Sequence, residues 1–93
     1  MTHSTDRPLI VEARRLTPET ADAVAAWADG TIDHRGDLLI VRLPMAAIPV
    51  VVGDWAVRDV LDDELAAARP VLAVIFEWAY QPTGDGRYRR IGT

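Results

Sequence analysis

Val50-Val51-Val52-Gly53-Asp54-Trp55-Ala56-Val57-Arg58 places an apolar run, a Gly-Asp break and a second apolar run end to end. Two strands of one sheet joined by a polar turn account for that order. The turn brings a Trp, an Asp and an Arg to one corner of the sheet. Gly53 supplies the conformational freedom a tight turn needs, and Asp54 can bond its own backbone there.

Moving toward the N-terminus, Met45-Ala46-Ala47-Ile48 is demoted to an edge or a turn by Pro49, and Pro44 closes the run before it. Leu38-Leu39-Ile40-Val41-Arg42-Leu43 is apolar enough for a central strand covered on both faces. Thr31-Ile32-Asp33-His34-Arg35-Gly36-Asp37 reads as a short strand or loop followed by a turn. Before it, a helix is predicted over 17–29. Thr17 is its N-cap, Pro18 occupies the first helical position and Glu19 suits the positive dipole end. Ala21, Val24, Ala25, Trp27 and Ala28 form its apolar stripe, and Gly30 is the expected left-handed C′ residue. Trp27 is read as a core anchor. Leu9-Ile10-Val11-Glu12-Ala13-Arg14 makes the first strand, with Val11 and Ala13 on one face and Glu12 and Arg14 on the other. Residues 1–8 are read as a frayed terminus.

Toward the C-terminus, 61–69 has helix composition, with Asp62, Asp63 and Glu64 early, Arg69 late and Pro70 as a stop. A short second helix is predicted there, although so few residues are marginal alone. Val71 to Tyr80 is apolar enough for a buried strand, with a short helix before Phe76 as the alternative. Strand alternation puts Phe76, Trp78 and Tyr80 on one face, read as core, with Tyr80 the most exposed of the three. Pro82-Thr83-Gly84-Asp85-Gly86 is a turn, and Arg87-Tyr88-Arg89-Arg90-Ile91 a basic hairpin arm or tail. The order predicts an α+β fold: a small antiparallel or mixed β-sheet with the 17–29 helix packed on it. The domain expected is 9–82, flanked by 1–8 and by 83–93.

Composition sets limits on function. The chain has 93 residues and 49% apolar side chains, enough for one modest core. It has no cysteine, which removes disulfides, thiolate nucleophiles and cysteine-bound zinc. The start has no signal-peptide h-region, and no apolar run reaches the roughly 18 residues of a membrane span. A cytoplasmic setting is therefore expected. The net charge of −4 argues against a dedicated nucleic-acid binder. All ten basic residues are Arg, alongside 14 Ala, the bias of a GC-rich genome.

Taken in order, four motifs resemble a family of small proteins encoded by bacteriophages and prophages. These are Val11-Glu12-Ala13, the helix from Leu16-Thr17 through Ala26-Trp27 to Gly30, Gly53-Asp54-Trp55-Ala56-Val57-Arg58, and Pro70 with Phe76-Glu77-Trp78-Ala79-Tyr80-Gln81-Pro82. The resemblance spans roughly residues 9–82. That family follows its Arg with a Gly-rich hairpin, where this chain has Asp59 and the longer 61–69 segment. The resemblance therefore implies a hairpin with an inserted helical turn there, against the helix that composition favours. This chain also adds Gly84 to Thr93. The resemblance implies a phage accessory gene with no assigned activity, and the Arg/Ala bias fits an actinobacterial host.

No catalytic set assembles. Ser4 is the single serine and lies in the N-terminal tail with no base beside it. Asp33, His34 and Asp37 match no standard metal-ligand spacing, and His3 is in the tail. Asp54, Asp59, Asp62, Asp63 and Glu64 read as turn residues and a solvated helix start rather than an acid/base pair. Gly53 and Gly84-Asp85-Gly86 make no phosphate loop. No cofactor is expected. The leading expectation is a non-enzymatic accessory module that binds a host or phage protein, or a second copy of itself. Its candidate contacts are Trp55, Arg58, Trp78, Tyr80, Arg87, Arg89 and Arg90. One alternative is a binder or enzyme for a nucleotide or other anion, using Arg42, Arg58 and Trp55. Another is nucleic-acid contact through Arg87, Arg89 and Arg90.

Overall fold

The computed structural model describes residues 9–91, so the N-terminal tail expected to fray lies outside the described residues. The described residues form an α+β fold, with two short helices and antiparallel sheets among them. The opening stretch supplies β4 (Val50–Val51) and β5 (Trp55–Leu61), joined by a turn in which the Asp54 N–H donates to Val51 O at 2.9 Å. Gly53 sits there at φ +98, a region that favours glycine. The corner is stitched to the end of β1 (Ile10–Arg15): the Leu16 N–H donates to Asp54 O, and the Gly53 N–H to Leu16 O.

β5 is central. On one side it pairs antiparallel with β1, Ala13 lying opposite Val57 and Arg15 opposite Trp55. On its other side it pairs with β6 (Glu64–Leu65) and β7 (Arg69–Val71). The larger sheet is completed by β8 (Tyr80–Pro82) and β9 (Tyr88–Arg90), in the order β6-β5-β1-β9-β8. β9 therefore runs between β1 and β8. A second sheet holds β2 (Thr31–Arg35), β3 (Leu38–Arg42) and β4, so the Gly53-Asp54 turn joins strands of two sheets and not, as expected, two strands of one. β3 is its central strand, and Ile40 and Val41 are fully buried.

Helix α1 (Ala21–Ala28) is shorter than the predicted 17–29. Thr17 caps a turn instead: its Oγ1 accepts the Thr20 N–H, and Thr20 Oγ1 accepts the Thr17 N–H. At the other end the left-handed residue is Asp29, at φ 56, and not Gly30. The Asp29 and Gly30 N–H groups close the helix on Ala26 O and Ala25 O. Gly30 has a different reason to be glycine, since a Cβ there would lie 2.7 Å from Arg42 O and from Val41 Cγ1.

Two predicted elements are overturned. The 61–69 segment is not helical. It is a hairpin in which Leu61 pairs with Glu64 and Val60 with Leu65. Asp62 and Asp63 form a two-residue turn at φ 50 and φ 71, the backbone of a type I′ turn. Pairing to β5 and burial of Ala68 satisfy more of the segment than an isolated helix of nine residues can. Beyond the turn, Ala66, Ala67 and Ala68 face only Arg58 and Asp59, which makes a bulge. The second correction is α2 (Ala73–Ala79), a helix where a buried strand was predicted. A short apolar run does not distinguish the two by periodicity.

The hairpin carries a test. Asp63→Gly is expected to stabilise the chain by about 0.5 kcal/mol, because glycine takes the left-handed turn position without steric cost. In the first turn of a helix the same change would destabilise by about 0.5–1 kcal/mol, from lower propensity and a lost charge at the positive dipole end. The sign of the shift in urea midpoint separates the two.

The core has two parts on opposite faces of β5. Leu16, Val24, Ala25, Ala28, Val41, Val50, Ala56 and Ala68 pack between α1 and the sheets. Val11, Ala13, Val57, Phe76, Ala79 and Tyr80 pack beneath α2. Among the described residues no helix is long and apolar enough to cross a membrane.

Candidate functional site

Alternation along β5 decides what happens to the residues singled out at the corner. Trp55 and Val57 face α2, while Ala56 and Arg58 face α1. The Trp55 indole stacks on Phe76, with centroids 4.0 Å apart and planes at 11°, and meets Tyr88 edge-on at 5.9 Å. Its Nε1 is buried, so the polar end of the ring is not presented outward.

Arg58 turns the other way and fastens the bulge. Its Nη1 donates to Trp27 O at 2.6 Å, its Nε to Ala66 O at 2.7 Å and its Nη2 to Leu65 O at 3.3 Å. Its guanidinium carbon also lies 5.6 Å from the Trp27 ring centroid, and that of Arg14 lies 4.7 Å away. Trp27 packs against the α1 core, with its indole capped by arginine. Arg42 is engaged elsewhere, its Nε donating to Asp33 at 2.9 Å. That hydrogen bond, with the His34 N–H, holds the Asp33 carboxyl below its usual value. Arg42, Arg58 and Trp55 thus serve three separate contacts, with no common anion pocket among them.

Asp54 has a role its position in the sequence concealed. Its Oδ1 accepts the backbone N–H of Ala73 at 3.0 Å, so the corner caps the start of α2. A cap 19 residues from its helix leaves no local signature. Asp59 is likewise structural. It pairs with Arg69 at 3.0 Å, and Arg69 Nη2 donates to the Tyr80 hydroxyl at 3.1 Å.

The helical period of α2 redistributes the aromatics. Phe76 and Tyr80, four residues apart, both turn inward and stack at 4.9 Å. Tyr80 is buried, contrary to its expected place as the most exposed of the three. Trp78 leaves that face altogether and stands in solvent. The shared Phe76, Trp78 and Tyr80 face required period 2, and the backbone has period 3.6.

The basic cluster divides across the sheet. Arg87 turns to Glu12, with its Nη2 3.2 Å from Glu12 Oε2. Tyr88 packs beneath α2, so alternation puts Arg90 on the α2 face and Arg89 on the opposite one. Among the described residues no group of three His, Cys, Asp or Glu side chains is placed to hold a metal ion. An open groove of about 400 Å³, lined by Leu9, Ile10, Val60, Leu61, Asp62, Asp63 and Arg87, lies at the far end of β1 and β5.

Of the candidate contacts, Trp78 is the one that stands free on an apolar surface. Its neighbours on the outward side of α2 are Val74 and Ile75, with Leu72 before the helix, all exposed. Sequence reading missed Leu72, Val74 and Ile75; assigning a strand concealed their common face. No family model, curated protein or solved structure matches the chain.

Proposed function

We propose that this chain is a protein-interaction module that binds through the outward face of α2. The observation that carries the reading is the inversion of that helix. A surface helix normally shows its polar face to water. Here Val74, Ile75 and Trp78 face outward, and Glu77 is the one charged residue on the helix. Contiguous apolar patches on small proteins mark binding surfaces, and Trp is the residue most enriched where binding energy concentrates. The non-enzymatic reading is supported by what the other candidates do: Arg58, Asp59 and Asp54 hold backbone or core together. The phage or prophage setting stays within the proposal and rests on the four sequence motifs.

Photocrosslinking tests it. A benzoyl-phenylalanine placed at position 78 in actinobacterial cells is expected to give a discrete protein adduct. The same group at exposed Glu19, at the start of the α1 region, should give none. Irradiation at position 78 without any adduct would overturn the reading.

A further inference from the structure

Around α2, Phe76 and Ala79 point to the sheet, and Val74 and Trp78 lie on the opposite side, with Ile75 beside them. The strip continues into Leu72 at one end. Exposures are 59% for Leu72, 70% for Val74, 47% for Ile75 and 66% for Trp78. Together these residues leave roughly 500 Å² in water, over half of the ~800 Å² each partner gives to a standard interface.

We infer that the occupant of this face is a second copy of the chain, packed about a two-fold axis with the two α2 helices against each other. The inference rests on the reading that this face binds protein. Two features favour self-association over a different partner. The first is size, since the strip alone supplies over half of what one protomer contributes to a standard interface, and packing α2 on its own copy buries it twice over. The second is charge. Glu77 on α2, with Arg15 and Arg90 on the face of the sheet that α2 covers, brings both signs to its edge. An isologous interface brings a patch against itself and so needs both signs at its edge. A rim fitted to a basic or acidic partner, or to an anionic membrane, would carry one sign. The net charge of −4 further disfavours an anionic membrane surface.

Sedimentation velocity of the full chain from about 1 to 500 μM, with the position-78 adduct sized by mass spectrometry, tests the inference. The expected result is a concentration-dependent species of twice the chain mass and an adduct of two copies. Trp78→Glu and Val74→Glu should each weaken dimerisation by at least ~30-fold, as for a central contact, without lowering the urea midpoint measured at concentrations where the wild-type chain is monomeric. A chain that stays monomeric throughout overturns the dimer, as does a dimer that persists in both variants. An adduct with another protein would retain the interaction module and overturn the second copy as its partner. No adduct at all would remove both. Monomeric chain floating with phosphatidylglycerol vesicles, through Trp78, would overturn the inference in favour of a membrane surface.

Discussion

Arg58→Ala is expected to destabilise the folded chain by about 3 kcal/mol, read as a drop in urea midpoint by tryptophan fluorescence. Three backbone carbonyls converge on its guanidinium: Trp27 at the end of α1, and Leu65 and Ala66 at the bulge. Two of the three are short, at 2.6 and 2.7 Å, and a bond to a charged donor is worth roughly twice a neutral one. Removing the donor leaves carbonyls that water reaches poorly, and it unties α1 from the β5–β6 hairpin. Arg58→Lys should recover less than half of the loss, since a single ammonium cannot reproduce the planar fork. The comparison that gives the number meaning is Arg42→Ala. Arg42 also makes an ion pair, with Asp33 at 2.9 Å, but both side chains are half exposed. Its loss should be below about 1 kcal/mol. If the two alanine variants differ by less than ~0.5 kcal/mol, Arg58 does not fasten the fold as described.

The contrast between Arg58 and Arg42 also shows where the sequence is legible. The Gly-Asp break, the alternation of Val11 and Ala13, and the apolar run into β3 give period and punctuation directly, but not pairing: the break joins two sheets, where local pattern suggested two strands of one. The α1 stripe is equally clear, although its ends are displaced: Thr17 caps a preceding turn and Asp29 takes the left-handed position. The 61–69 hairpin is hidden because its turn is Asp62-Asp63, without the glycine that announces most type I′ turns. Aspartate tolerates the left-handed region, but it also suits the first turn of a helix, and three alanines follow. The signal was therefore ambiguous, and pairing to β5 decided it. For the site, the loss is one of period. An unbroken apolar run from Val71 to Ile75 fits a buried strand or a helix. The choice between them moves Trp78 from core to surface and Tyr80 from surface to core. Asp54 lies beyond any local reading, because its partner is the Ala73 N–H across the fold.

Phe76→Ala is expected to destabilise by about 4 kcal/mol, the loss for a buried aromatic that leaves a cavity. Phe76 is the side chain by which α2 grips the sheet. It stacks on Trp55 at 4.0 Å and on Tyr80 at 4.9 Å, and meets Tyr88 edge-on at 5.0 Å. The other ties of α2 are small by comparison: the buried methyl of Ala79 and the cap from Asp54. A seven-residue helix has little stability of its own, so the packing of Phe76 maintains it. The effect should therefore be concentrated in α2. Amide exchange over 73–79 is expected to accelerate more than exchange in β1 and β5, with near-ultraviolet dichroism from the aromatic cluster reduced. Phe76→Leu, which keeps most of the volume and loses the stacking, should fall between the two. The variant also separates structure from association at this helix. Trp78→Glu alters the outward face of an intact α2, whereas Phe76→Ala removes the helix that presents it. Both should weaken self-association, but only Phe76→Ala should lower the urea midpoint of the monomer. A loss below about 1.5 kcal/mol, with 73–79 still protected, would mean that α2 is held by something other than the Phe76 stack.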